Sequence, residues 1–558
     1  MRFKIILFAC ILSGMAACSI EQEIFDTLTT ENSLKNQGNI TTFVNGAYAR
    51  FSGFNGFKTG YYTYWFAADD LNTRPGAASA SRYSSKTQDA FSTEVSNFWS
   101  TLYQTINASN YLIDNIDPVT ADAAYKNRVK GEMYFLRAFS YFYLVRMWGG
   151  VPLKTKPTSL DDDLKLPRSS IDQVYAQIFA DFEEANKRLL RRTSLPAAEF
   201  GHATKGAAQA LLSKAYLTYG NYLDLNGKGS ESVKYYQLAE NYADSVITSG
   251  QYSLIPSYKD LWDVDKEAAS YQEVIFGIQF TRDAQVANAS GVGSEHGLFN
   301  LPSNMANVGG NGTLKTGGGN FRVQPWWAEK YSTGDFLNDY RFDVSILTSS
   351  NNTSNPSRTV VCFPKVKASP TSNELTETQP YLFKYVDGKA LDARNAENDM
   401  AIIRLSEVFL IKAEAENELN GPTPTAYAEF NKLRARARNA NGVQRTTPAN
   451  LTTGLTKDEF RQKIVDERAL EFVGEGQRWF DLVRMKGPNG KSMYEYQFGT
   501  FLPTLKAGLP TFTTATNTWA GGRTENTSIV PYNAKLLLWP IPFSELAANP
   551  NVTQNPGY

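Results

Sequence analysis

The stretch Ala123–Trp148 constrains the fold more than any other part of the chain. Val129, Met133, Leu136, Ser140, Tyr143, Leu144 and Met147 recur at helical spacing, and Phe135, Phe139 and Phe142 occupy a second face. A helix apolar on two faces must be buried on most sides, so it needs packed neighbours. Gly149 and Gly150 end it, and Pro152 blocks its continuation.

The neighbours are legible too. Ser169 or Ser170 caps a helix running to about Leu190. Further helices are expected at Thr204–Tyr219, Val233–Thr248, Ile402–Leu419, Thr425–Arg438 and Lys457–Val473. Two pairs read as helix–turn–helix units. Their second helices carry Ala239-x3-Ala243-x2-Val246 and Ala426-x3-Phe430-x2-Leu433, a spacing that suits the second helix of a tetratricopeptide repeat. The expected fold is therefore all-α, with TPR-like helical repeats and a large irregular, loop-rich part. Phe54–Phe91, Asp283–Asn320 and about Ser349–Thr378 break the helical rhythm, and long loops on an ordered scaffold are where ligands bind.

Composition removes several functional classes. Lys and Arg together number 56, as do Asp and Glu, so no basic field points to nucleic acid. The three cysteines, Cys10, Cys18 and Cys362, supply neither a disulfide framework nor a Cys-based metal site. With only His202 and His296, a His-rich metal centre is excluded, and no Ser/His/Asp set can be assembled. Gly309–Thr316 and Met485–Ser492 fall short of phosphate loops, and Asp161-Asp162-Asp163 lacks the ligand spacing of a calcium loop. No cofactor is expected. Glu467 and Glu471 lie one helical turn apart, which raises a glycoside hydrolase as an alternative. Arg468, Arg478 and Arg484 nearby favour a structural ion network instead.

Residues 1–17 read as a signal peptide: Arg2 and Lys4, then an apolar stretch from Ile5 to Leu12 too short to span a bilayer. Gly14-Met15-Ala16-Ala17-Cys18 resembles the lipobox of bacterial lipoproteins, which implies cleavage before Cys18 and its acylation. Ser19, Glu21 and Glu23 resemble the surface-export signal of Bacteroidetes lipoproteins. The mature chain is taken as one domain, 18–558, with the repeat helices and ligand loops in about 18–330 and further helices and a tail in about 331–558.

Ordered blocks carry a wider resemblance. Gly131-Glu132-Met133-Tyr134-Phe135-Leu136-Arg137-Ala138-Phe139 leads to Trp148-Gly149-Gly150-Val151-Pro152-Leu153. Pro167-Arg168-Ser169-Ser170 and Thr204-Lys205-Gly206-Ala207-Ala208 follow. The second half adds Arg404-Leu405-Ser406-Glu407, Asp466-Glu467-Arg468-Ala469-Leu470-Glu471-Phe472 and Gly476-Gln477-Arg478-Trp479-Phe480-Asp481. Trp539-Pro540-Ile541-Pro542 and Gln554-Asn555-Pro556-Gly557-Tyr558 close the series. Across nearly its whole length the chain resembles the SusD/RagB family, with Ala469 standing where that family often has a second basic residue. The resemblance implies a non-catalytic lipoprotein on the outer membrane, facing the cell exterior. It also implies an oligosaccharide or peptide ligand and a SusC-like TonB-dependent transporter as partner; a purely structural subunit of that transporter is the remaining alternative.

Sugar recognition needs flat rings for the C–H faces and fixed polar groups for the hydroxyls. The first irregular region offers Trp65, Asp70, Arg74 and Tyr83; the second offers Phe299, Asn300, Asn304 and Trp326. Trp99 and Trp327 sit in helical patterns and read as core. The run Leu536-Leu537-Leu538-Trp539, bounded by Pro540 and Pro542, is unlikely to face water and is expected to matter to folding, with Ser544 capping a short turn through Leu546.

Overall fold

The computed structural model describes residues 34–58, 60, 62–73, 78–158, 165–282, 293–295, 302, 305–306, 319, 321–390, 395–524 and 530–558. The leader, Cys18, Arg74, Asp161–Asp163, His296, Phe299, Asn300, Asn304 and the glycine run 309–316 lie outside the described residues.

The long helices are α1 Gln37–Ser52, α2 Thr93–Asn115, α3 Ala123–Trp148, α4 Ile171–Arg188, α5 Lys205–Leu225 and α6 Gly229–Ile247. The second half adds α7 Leu405–Asn420, α8 Pro424–Ala437, α9 Lys457–Glu471 and the shorter α10 Arg478–Arg484. Their ends follow local chemistry. Asp122 accepts from Tyr125 N to start α3, and Gly149, at φ 76, ends it. Ser170 and Gln173 form a capping box on α4, and Thr204 caps α5 through Ala207 N. As its two apolar faces require, α3 is buried along nearly its whole length from Val129.

Packing runs in chain order: α3 lies against α2 and α4, α4 against α5, α5 against α6, α6 against α7, and α7 against α8 and α9. The stack thus passes from the first half of the chain into the second. Ala239, Ala243 and Val246 are buried in α6, as are Ala426, Phe430 and Leu433 in α8, so the TPR-like spacing marks real helix contacts. At Gly220 the α5–α6 approach is so close that a Cβ would stand 2.8 Å from Tyr236 Cε1. One apolar core draws on both halves.

Two expectations need correction. Met400–Arg404 is a strand, β2, pairing antiparallel with β1, Val274–Ile278; the helix expected from Ile402 begins only at Leu405. Every residue of both strands is buried, and the β-branched Ile402 and Ile403 suit an extended, two-sided environment. Ser544 is inside the helix Phe543–Ala548, whose N-cap is Pro542 with no side-chain cap.

The irregular part is not purely loops. Ser349–Asn352, Thr359–Cys362, Leu375–Glu377 and Met305–Ala306 form a four-stranded sheet. Leu71–Asn72, Arg322–Val323, Tyr381–Leu382 and Ile346–Leu347 form another. A hairpin of β3, Gly508–Thr513, and β4, Thr518–Thr524, lies near the C-terminus.

Candidate functional site

The structure puts four of the residues expected to meet a ligand in the interior. Trp65, Asp70, Tyr83 and Trp326 are at most 5% exposed. Trp65 packs 5.4 Å from Phe321 and abuts the turn at Gly476, while Tyr83 lies 5.4 Å from Trp539 and donates to Glu94 Oε2. Trp326 Nε1 donates to Asp69 O, bringing it beside Asp70, whose carboxyl is pushed up to about 7 by burial and then by Asp69. These four cannot offer a ring face or carboxylate to a solvent-borne sugar in this conformation. The helical stack reaches back over the segment that composition alone marks as loop.

Glu467 and Glu471 are fully buried, which disposes of them as a hydrolase pair. Their partners are not those the local sequence suggests. Glu467 pairs with Arg341 at 2.7 Å and Arg434 at 3.0 Å. Glu471 holds Arg341 at 2.9 Å and Arg404 at 3.1 Å, and also contacts Arg436. Arg468 and Arg484 meet at Asp481, as expected, but Arg478 crosses to Asp69 at 2.7 Å. Arg404 extends the network to Glu273 and Glu475, and Glu475 binds Lys384 at 2.8 Å.

Through Lys384 and Arg404 this network meets Trp262, which lines a cleft of about 800 Å³. Trp262 stands at the end of the 3₁₀ turn Tyr258–Leu261, and Asp263 caps the next turn by accepting from Asp265 N. Lys384 Nζ lies 4.4 Å and the Arg404 guanidinium 5.4 Å from the indole centroid, so two immobilised cations back the ring. Tyr385, held at φ 61, packs edge-on against Trp262 at 5.1 Å and continues to Trp65 at 6.4 Å. The predicted Trp65 therefore stands one ring behind the cleft wall. Phe383 and Tyr340 add apolar surface, and Asn441, Asp343 and Lys259 add polar groups. Across the rim Lys389 pairs with Asp265 at 2.5 Å, an exposed bridge that water and salt screen. Flat rings beside fixed hydrogen-bonding groups suit the binding of a hydroxylated ligand.

Sequence reasoning missed Trp262, half-buried at the cleft, and Tyr385, a buried ring at 1% exposure that supports it. Trp262 had a usable signal: it lies in the aperiodic span between Ile247 and Val274, flanked by Asp260, Asp263 and Asp265. Tyr385 had none, since its placement depends on strand Tyr381–Leu382 joining a sheet from distant segments.

A second groove, about 740 Å³, runs along α2, where Trp99, Tyr103, Asn107 and Tyr111 recur every four residues. Its polar groups are largely engaged: Tyr103 donates to Pro152 O, and Asn107 accepts from Thr158 N. Trp99 is 4% exposed, in keeping with its helical pattern.

The cleft loop is anchored from behind by the buried Asp387 and, further back, by the half-buried Asp399 and Glu267. Asp387 takes Arg282 at 3.0 Å, and Asp399 accepts from Tyr271 and Phe280 N next to Glu267. Burial first, then the charge of Asp399, pushes Glu267 up to about 9, and burial also raises Asp399. A carboxyl raised in the folded state contributes stability below its unfolded pKa and loses it as pH rises through the folded value. Glu267→Gln is therefore expected to match the parent near pH 4 and to exceed it by on the order of 1–2 kcal/mol near pH 9. Denaturant midpoints across this range check it, and parallel curves would refute it.

Comparison with known proteins follows the geometry. The family model described as the SusD family matches residues 272–558, and one described as starch-binding, associating with outer membrane, matches residues 23–217. SusD-like protein P2 of Formosa agariphila is 27% identical over 517 residues, 88% of this chain and 93% of that protein. The starch-binding protein SusD of Bacteroides thetaiotaomicron is 26% identical over 494 residues, 81% of this chain and 76% of that protein. A crystal structure of a SusD homolog from Bacteroides thetaiotaomicron superposes with a TM-score of 0.75 at 21% identity, covering 95% of this chain and 98% of that one, which establishes likeness of fold.

Proposed function

We propose, from the premise that this chain belongs to the SusD family, that it is a non-catalytic lipoprotein that captures a glycan at the cell surface and delivers it to a SusC-like TonB-dependent transporter. The observation that carries the reading is the Trp262 cleft, a cation-backed ring wall next to polar groups, in a chain whose relative is named a starch-binding protein. Arg74, Phe299 and Asn300 remain candidates for further contacts. Stacking on one aromatic ring contributes about 1 kcal/mol beyond area burial, so several contacts are needed and an oligomer should bind better than a monosaccharide.

Calorimetric titration of the pure protein with a panel of oligosaccharides, α-glucans included, tests the reading. Binding without product is expected, and Trp262→Ala should weaken it about fivefold. Because the ring also packs on Tyr258, Tyr385, Lys384 and Arg404, the variant should unfold at a lower midpoint, and the titration is run where it is fully folded. Undiminished affinity in that variant would remove the cleft from the proposal. Binding of peptides but no glycan would replace the ligand class.

Anchoring rests on the Cys18 motif. Several acyl chains hold a protein stably on a membrane where one does so only marginally. Cys18→Ala should shift the protein from the membrane to the soluble fraction; persistence in washed membranes would refute the anchor. Co-purification with a TonB-dependent barrel under gentle extraction checks the transporter partnership.

A further inference from the structure

Among the described residues, the buried arginines are spoken for. Arg137, Arg341, Arg404, Arg434, Arg436, Arg468, Arg478 and Arg484 each reach at least one carboxylate. The half-buried Arg146 on α3 differs. Its guanidinium lies 3.9 Å from the Phe142 ring centroid and 4.0 Å from that of Phe480, and Nε donates to Phe142 O. Among the described residues no carboxylate pairs with it; burial, the largest influence, pulls its pKa down, and only tyrosines oppose that. Ring faces offset part of the desolvation of this cation, yet they leave its net charge without a counter-ion.

Arg146 lines a cavity of about 390 Å³ between α3, α4, α5, α10 and the C-terminal tail. Ile171, Tyr175, Leu225, Phe480 and Leu538 give it apolar walls. Two other cations line it. Arg484 is committed to Glu414 and Asp481, whereas the exposed Lys491 has no ion-pair partner among the described residues. Glu495 is the one carboxylate in the lining, and it hydrogen-bonds Tyr532. The volume equals on the order of a dozen waters, which suits a molecule of about that many heavy atoms.

We infer that this cavity is a second binding site, for a small aryl or alkyl monocarboxylate whose apolar body fills the walls and whose carboxylate pairs with Arg146. The guanidinium fork matches a carboxylate's two oxygens, and an apolar surround strengthens such a pair over its value in water. The site is separate from the Trp262 cleft and does not depend on the glycan reading.

The test titrates the full chain with 3-phenylpropanoate and with 3-phenylpropanamide, its neutral counterpart of equal size. The acid should bind at least tenfold more tightly, and Arg146→Met should abolish that preference while oligosaccharide binding stays unchanged. Should Arg146→Met fail to fold, the native chain still decides the matter: a diazirine-bearing aryl carboxylate, photolysed and mapped by mass spectrometry, should label Ile171–Tyr175 or Leu537–Leu538. Equal affinity for acid and amide in the native chain, a preference that survives in Arg146→Met, or labelling confined to other segments would overturn the proposal.

Discussion

Glu471→Gln should cost about 3–5 kcal/mol of folding stability, the range for removing one partner of a buried ion pair. The carboxylate is fully buried and is shared by Arg341, Arg404 and Arg436. An amide of the same shape keeps the packing but withdraws the only charge common to all three cations. Asp339, Glu467, Glu273 and Glu475 still hold them in part, which keeps the loss within that range. Arg404 also sits beneath Trp262, so the variant should weaken ligand binding through that ring as well as lowering stability. Urea unfolding measures the first effect, and a change below 1 kcal/mol would contradict the account. Burial alone would raise the carboxyl, but Arg436, Arg404 and Arg341 together hold it well below the usual range. A depressed folded pKa means its contribution is full above the unfolded value and fades as pH falls below about 4.5. The gap between parent and variant should therefore narrow in acid.

Truncation after Lys535 should be worse still. Trp539 and Ile541 are at most 1% exposed, with Trp539 packed on Tyr83 and Trp479. Trp539 N donates to Met147 O at 2.7 Å, and Trp148 Nε1 donates to Pro540 O at 2.9 Å, so the tail closes the end of α3. Asn555 Nδ2 reaches both Trp148 O and Trp539 O, and its Oδ1 accepts from Arg168. Losing one buried tryptophan costs about 3–5 kcal/mol. Losing the whole tail should exceed about 5 kcal/mol, a large part of what a domain commonly has, so the truncated chain is expected to accumulate poorly as soluble protein. The milder Trp539→Ala gives the measurable version, a lowered thermal midpoint; an unchanged midpoint in either protein would refute the role.

Burial of Leu536 and Trp539 in the tail was readable in advance because an apolar run closed by Pro540 and Pro542 has nowhere to go but a core. The tail is structural for the same reason that α3 is central: both display more apolar surface than one neighbour can cover. The cap of α4 was nearly as legible, narrowed in sequence to Ser169 or Ser170, since a cap is a contact three residues long. Strand β2 was not, because Met400–Arg404 is extended only through its pairing with Val274–Ile278, more than a hundred residues away.

The site divides along the same line. By itself the sequence determined the helical, TPR-like scaffold, the family, the structural rather than catalytic character of the Glu467–Glu471 turn, and the need to bury the tail. The scaffold and the tail rest on periodicity, spacing or apolar content within a short window, the Glu467–Glu471 reading on the arginines near it in sequence, and the family on the resemblance of ordered blocks along nearly the whole chain. Only the tertiary structure decided which aromatic rings reach the surface and which arginine each carboxylate holds. Trp65 and Trp326 look as exposed in sequence as Trp262 does; the difference is made by Phe321, Phe501 and the Gly476 turn, which cover the first two, while Lys384 and Arg404 prop the third at the cleft wall. Burial and ion pairing depend on what distant segments bring to a point in space, and no local pattern encodes that.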